Sequence, residues 1–67
     1  MAMSMKALRV NANLTQDDMA RILGISRDTY QQIENGKVDP KPLYIHAFCH
    51  VVGCELDDIS LPERSTN

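Results

Sequence analysis

The chain has 67 residues, and seven Lys and Arg stand against nine Asp and Glu, which gives a formal net charge of −2. This length allows one small domain and leaves little room for the walls of an enzyme active site. No apolar run approaches the ~20 residues of a membrane span, no leader peptide is evident, and two cysteines are too few for a disulfide scaffold, so we expect a cytoplasmic binding module.

The charge is distributed unevenly along the chain. Residues 6–41 carry six basic and five acidic side chains, whereas residues 42–67 carry four acidic side chains and one basic side chain. An acidic overall balance argues against indiscriminate binding to nucleic acid. It still allows a weakly positive surface formed by the first two thirds of the chain.

The first predicted helix runs from about Ser4 to Ala12, with Met5, Leu8 and Ala12 on one face. The second begins after Thr15, whose hydroxyl can accept from the backbone amide of Asp18. Gly24 ends this helix in the left-handed conformation that a glycine adopts without strain. The side chains predicted for its buried face are Met19, Ala20, Ile22 and Leu23.

The third predicted helix begins after a second cap, Ser26, and ends at Asn35-Gly36. Pro42 can open a fourth helix, which Gly53 ends. Its predicted apolar stripe consists of Ile45, Phe48, Cys49 and Val52. Leu56 and Ile59 suggest one more short turn of helix. We therefore predict an all-α fold of four or five helices in a single domain, 1–67, with a core at about 4–60 and a loose tail at 61–67.

The strongest functional signal is the pair of helices between Gln16 and Asn35. Only three residues separate them, so they must cross steeply, and Ala20 is small enough for the close approach. Polar residues then remain on the outward face of the second helix of the pair, and they are able to read base edges in a major groove. Alternatively, these side chains form an ordinary solvent-exposed helix face with no role in binding. The four side chains are Arg27, Asp28, Gln31 and Gln32.

The stretch LTQDDMARILGISRDTYQQIENG, Leu14 to Gly36, closely resembles the helix-turn-helix of the Cro/C1-type (xenobiotic-response-element) family of bacterial and phage repressors. The likeness extends back to KALR at 6–9 and forward to Pro40 and Asp57-Asp58-Ile59, so it covers roughly residues 5–60. It implies a compact lambda-repressor-like domain that binds double-stranded DNA and needs no cofactor.

The resemblance also implies roles for individual residues. The base-reading positions match Ser26, Arg27, Asp28, Gln31 and Gln32. The positions that contact DNA phosphate match Gln16, Asn35, Lys37 and Lys41, with backbone amides after the recognition helix assisting. The family's structural ion pair matches Arg9 and Glu34.

Two positions depart from the family pattern. Tyr30 stands where an aliphatic residue is usual, and its hydroxyl needs a partner. Asp28 stands where Gln is common; a carboxylate there could accept from cytosine N4 or could orient Arg27. We expect Arg27 to be the main base reader, at a guanine.

Two cysteines and two histidines near the end of the chain raise a metal or redox alternative. His46 and His50 share one helix face, whereas Cys49 lies in the apolar stripe, where a free Cys behaves as a small hydrophobe. With Cys54 they do not converge without distortion, so we expect no metal site. A disulfide is disfavoured in a reducing compartment.

Together with these patterns, the resemblance implies a sequence-specific DNA-binding transcriptional regulator, a repressor that binds a palindromic operator as a homodimer. The predicted interface comes from the fourth helix, the last turn and the tail, namely Tyr44, Val51, Leu56, Ile59 and Leu61. The alternative is a protein-interaction module, such as an antitoxin or an adaptor with a protein partner, which the acidic last third favours. We expect no enzyme, because the chain shows no nucleophile–base pair and no phosphate loop.

Overall fold

Four α-helices dominate the computed structural model, which describes residues 2–61. They are α1 (Met5–Asn11), α2 (Gln16–Leu23), α3 (Arg27–Glu34) and α4 (Pro42–Val52), and a 3-10 turn at Leu56–Asp58 follows. The predicted all-α fold is confirmed, with helix ends within a residue or two of the expected positions. Most of the predicted tail, 62–67, lies outside the described residues. Within residues 2–61, no helix is long and apolar enough to cross a membrane.

Local hydrogen bonds set the helix ends. The Thr15 hydroxyl accepts from the Asp18 amide at 3.0 Å, and the Asp18 carboxylate accepts from the Thr15 amide at 2.9 Å. The Ser26 hydroxyl accepts from the Thr29 amide at 3.1 Å. Gly24 has φ 76°, so both predicted caps and the predicted glycine stop are confirmed.

Side chains from all four helices meet in one core. Tyr30, Phe48, Met5 and Met19 are its largest fully buried members. On α4 only Phe48 is fully buried, and the rest of the predicted stripe is partly buried. The complete set of buried apolar side chains is Met5, Leu8, Met19, Ala20, Tyr30, Ile33 and Phe48.

The prediction that Ile22 belongs to the buried face of α2 is wrong. Ile22 is 50% exposed, whereas Met19 and Ala20 are buried and Leu23 packs against the core. At 3.6 residues per turn, Ile22 lies roughly 100° from the middle of the face that the other three form, and so it points outside the core.

A two-residue parallel strand pair joins the two ends of the domain. Met3–Ser4 (β1) pairs with Ile59–Ser60 (β2), with Met3 opposite Ile59. The expected final helical turn is therefore shorter than predicted, because Ile59 has an extended backbone (φ −98°, ψ 127°). Two residues are too few to show an alternating pattern, so the sequence did not indicate these strands.

Candidate nucleic-acid interface

The turn between α2 and α3 holds these two helices in a fixed relation. The Gly24 amide donates to the Arg21 carbonyl at 3.2 Å, and the Ile25 amide donates to the Ala20 carbonyl at 3.0 Å. Ala20 is 3% exposed beneath the turn. Because these two backbone hydrogen bonds fix the conformation of the turn, the start of α3 is held in a fixed direction relative to α2.

The carboxylate of Glu34 joins three helices. It accepts from Arg9 Nε at 2.7 Å and Nη2 at 3.3 Å, from Tyr30 Oη at 2.6 Å and from Gln16 Nε2 at 3.1 Å. Arg9 also donates through Nη1 to the Leu14 carbonyl at 2.8 Å. The side chains of Arg9 and Glu34 are 9% and 3% exposed. The last turn of α3 is thereby tied to α1 and to the start of α2.

The pKa values of Glu34, Arg9 and Tyr30 reflect their contacts with one another. Burial raises the pKa of the Glu34 carboxyl, but hydrogen bonds from Arg9, Tyr30 and Gln16 outweigh burial and hold the pKa below its ordinary value. The hydrogen bond with Glu34 raises the pKa of Arg9. Burial and the same carboxylate raise the pKa of Tyr30. The tyrosine that departs from the family pattern thus has a charged partner for its hydroxyl.

The side chains expected to read bases lie along α3. Arg27, Asp28 and Gln31 are exposed, and Gln32 is partly exposed. Ser26 is exposed too, but its hydroxyl caps α3 and donates to Thr29 Oγ1 at 2.9 Å. The face is therefore polar and accessible, and α3 contributes only Tyr30 and Ile33 to the buried core.

Arg27 and Asp28, although adjacent in sequence, have different partners. Arg27 Nε lies 3.6 Å from Asp17 Oδ1 on α2, whereas Asp28 accepts from Gln32 Nε2 at 3.3 Å. The alternative in which Asp28 orients Arg27 is not supported by these contacts. The position of Asp17 beside Arg27 was not predicted from the sequence.

The side chains expected to contact phosphate flank this face and do not form a cluster. Gln16 supports Glu34, Asn35 is the exposed cap of α3, and Lys37 and Lys41 are exposed in the connection to α4. The amides of Asn35 and Lys37 already donate to the Gln31 and Gln32 carbonyls, both at 2.9 Å. These two amides are therefore engaged within the chain, so the side chains of Asn35 and Lys37 are the groups left to meet a phosphate.

The two cysteines near the end of α4 lie beside each other. His46 and His50 are exposed, and both cysteines are partly buried and free. Burial and the neighbouring Cys49 raise the pKa of the Cys54 thiol to about 11. Since the thiolate is the form that binds metal, this environment disfavours Cys54 as a ligand at neutral pH. No three His, Cys, Asp or Glu side chains within residues 2–61 are grouped to hold a metal ion.

Comparison with known proteins agrees with this architecture. A family model described as Helix-turn-helix matches residues 5–59. An uncharacterized HTH-type transcriptional regulator from Methanocaldococcus jannaschii is 39% identical over 59 residues, which cover 88% of this chain and 89% of that protein. An uncharacterized HTH-type transcriptional regulator from Archaeoglobus fulgidus is 30% identical over 54 residues, which cover 81% of this chain and 76% of that protein. The chain belongs to the Cro/C1-type helix-turn-helix family.

Proposed function

We propose that this protein is a sequence-specific DNA-binding transcriptional regulator that acts in the cytoplasm as a repressor. The observation that carries the proposal is the exposed polar face of α3, held at both ends by defined contacts. At its start Ser26 caps the helix, and at its end Glu34 bonds to Arg9 and Gln16. A rigid helix with an accessible polar face is what insertion into a major groove requires.

Base contacts and phosphate contacts contribute differently to DNA binding. Arg27 presents a guanidinium at the exposed start of α3, and a guanidinium recognises guanine O6 and N7 through two parallel hydrogen bonds. Lys37 and Lys41 lie outside α3 and carry charge that neutralises phosphate without reading sequence. The negative net charge of the chain limits its non-specific binding, so base contacts are needed for useful affinity.

The operator is palindromic in this proposal, because one such module buries only ~600–1,000 Å² on DNA. A homodimer places two recognition helices about one helical turn apart, ~34 Å. Leu56 is 53% exposed and Leu61 is 45% exposed, and they line a groove of about 450 Å³ together with Ile45 and Ile59. Leu43, which lies on α4 outside the lining of this groove, is 74% exposed. This apolar surface supports a two-fold interface with a second copy.

The interface residues expected from the sequence need one revision. Leu56 and Leu61 are exposed, but Tyr44, Val51 and Ile59 are only partly exposed and pack against the core. Leu43, which the sequence interpretation did not include, is the most exposed of the large apolar side chains. We therefore add Leu43 to the proposed interface.

In vitro selection from a random duplex library at near-physiological salt tests the proposal. We expect enrichment of a palindrome whose half-sites lie about one helical turn apart. The same selection is repeated with Arg27→Ala, which should lose base preference at one position of each half-site. Folded protein that enriches no sequence would contradict the proposal and would favour the protein-interaction module instead.

A further inference from the structure

We propose that Asp17 is a positioning residue for Arg27 and thereby a determinant of base specificity. The inference rests on the proposed function, since it concerns how Arg27 meets DNA. Its basis is the approach of Arg27 Nε to Asp17 Oδ1 at 3.6 Å across the junction of α2 and α3. Among residues 2–61, Asp17 is the acidic side chain that lies within ion-pair distance of this guanidinium.

The direction of the contact matters more than its strength. A guanidinium has five N–H donors, one on Nε and four on the two Nη groups. The closest approach of Asp17 is to Nε. A bidentate contact with guanine O6 and N7 can be made by the two Nη groups, which form a separate parallel fork. The ion pair and a bidentate base contact therefore use different edges of the same group and are compatible with each other.

The location of the pair allows it to persist when DNA is bound. Both side chains are 62% exposed, on the same side of the domain as the start of α3. Asp17 belongs to a helix that the Thr15–Asp18 capping box fixes, and Arg27 occupies the first position of α3. Neither backbone position has to move for Arg27 to reach a groove. A long side chain that is already restricted in direction loses less conformational entropy when it binds.

If Asp17 merely competed with DNA for Arg27, its removal would have a different effect on binding. If Asp17 had to release Arg27 before DNA could bind, its removal would strengthen binding to every sequence that Arg27 contacts. If Asp17 positions Arg27, its removal weakens the preference for guanine, even though the loss of a negative charge near phosphate raises affinity for all DNA. Discrimination between bases, measured separately from affinity, distinguishes the two.

The experiment compares Asp17→Asn with Asp57→Asn, which removes the same charge from the exposed 3-10 turn outside the helix-turn-helix. Affinities are measured for the selected operator and for operators changed at the guanine whose preference Arg27→Ala abolishes. We expect Asp17→Asn to reduce discrimination at that guanine roughly two- to five-fold, the range equivalent to an exposed ion pair. Asp57→Asn should leave discrimination unchanged.

The double variant Asp17→Asn/Arg27→Ala completes a double-mutant cycle with the two single variants. We expect Asp17→Asn to have no effect on base discrimination once Arg27 is absent. Unchanged or increased discrimination in Asp17→Asn would overturn the inference while leaving the proposed function intact. Failure of the wild-type protein to select any sequence would instead overturn the proposed function, and the inference with it. Circular dichroism of each variant confirms that the helices are retained.

Discussion

The Glu34 carboxylate and the Arg9 guanidinium are joined by two hydrogen bonds, of 2.7 and 3.3 Å, across 25 residues of sequence. Both side chains are almost completely buried. A buried ion pair contributes little net stability compared with an apolar pair of the same shape, but loss of one member leaves the other charged and unpaired. This pair therefore holds α1 against the end of α3, and its integrity controls the position of the proposed recognition helix.

Glu34→Gln should destabilise the protein by about 3 kcal/mol, because the Arg9 charge would remain buried without a counter-charge. Urea unfolding followed by circular dichroism measures the change. The matched control is Asp57→Asn, whose exposed side chain should change the free energy of unfolding by less than about 0.5 kcal/mol. Equal stability of Glu34→Gln and the wild type would show that the pair has no such role.

Protonation of the Glu34 carboxylate should lower the stability of the folded protein in acid. The pKa of Glu34 is lower in the folded protein than its ordinary value of 4.5, so the unfolded chain binds its proton more readily. This contribution is complete above pH 4.5 and is lost as the pH falls through the folded pKa. Unfolding midpoints measured between neutral pH and acid should decrease, and the decrease should be shallower in Glu34→Gln. The partly exposed Asp18, whose pKa is lowered by its capping hydrogen bonds with Thr15, adds to the acid loss in both proteins.

Tyr30 should give a second, opposite pH dependence at the alkaline end. Its pKa is raised in the folded state, chiefly by burial and then by its bond to Glu34, so the folded protein retains the phenolic proton that the unfolded chain loses. The resulting stability is complete below the unfolded pKa of 10.0 and is lost as the pH rises above it. Tyr30→Phe should be less stable at neutral pH by about 1.5 kcal/mol, since its bond to a charged group is lost. It should also lack the alkaline decline in thermal unfolding that this phenol causes, and an identical decline in both proteins would contradict the assignment.

Arg27 and Lys37 should differ in what their loss does to DNA binding. Arg27→Ala should weaken operator binding by ~1–3 kcal/mol and relax preference at one base position, because a base contact is lost. Lys37→Ala should weaken binding to operator and random DNA similarly and reduce the salt dependence of affinity, because a phosphate contact is lost. Titrations at several salt concentrations separate the two effects. Equal losses on operator and random DNA for Arg27→Ala would remove that residue from base recognition.

Leu43 should affect association and leave the monomer fold intact. Its side chain is 74% exposed, so Leu43→Ser removes little buried surface from the monomer while placing a hydroxyl in the proposed interface. Sedimentation should show a weaker dimer and operator binding should weaken with it. Val10→Ser is the control for association alone, since Val10 is 54% exposed on α1, outside the proposed interface but beside Gln16 and Arg27. A wild-type protein that sediments as a monomer at micromolar concentration would contradict the dimer itself.

The helices and their ends follow from residue type and local spacing. The hydroxyls of Thr15 and Ser26 act on amides three residues away, and Gly24 adopts a conformation that depends on its own lack of a side chain. These are interactions within one turn of chain, so residue type and spacing are enough to predict them. The same locality identified the polar face of α3, because the apolar residues Tyr30 and Ile33 mark its opposite side.

Contacts between residues distant in sequence could not be predicted in this way. The contact of Asp17 with Arg27, the four hydrogen bonds to Glu34 and the pairing of Met3 with Ile59 depend on how the helices pack. The exposure of Ile22 and Leu43 does so too, since an apolar residue at the edge of a helix face is buried only if another element covers it. Periodicity places a side chain on a face, but packing between elements decides what lies opposite that face.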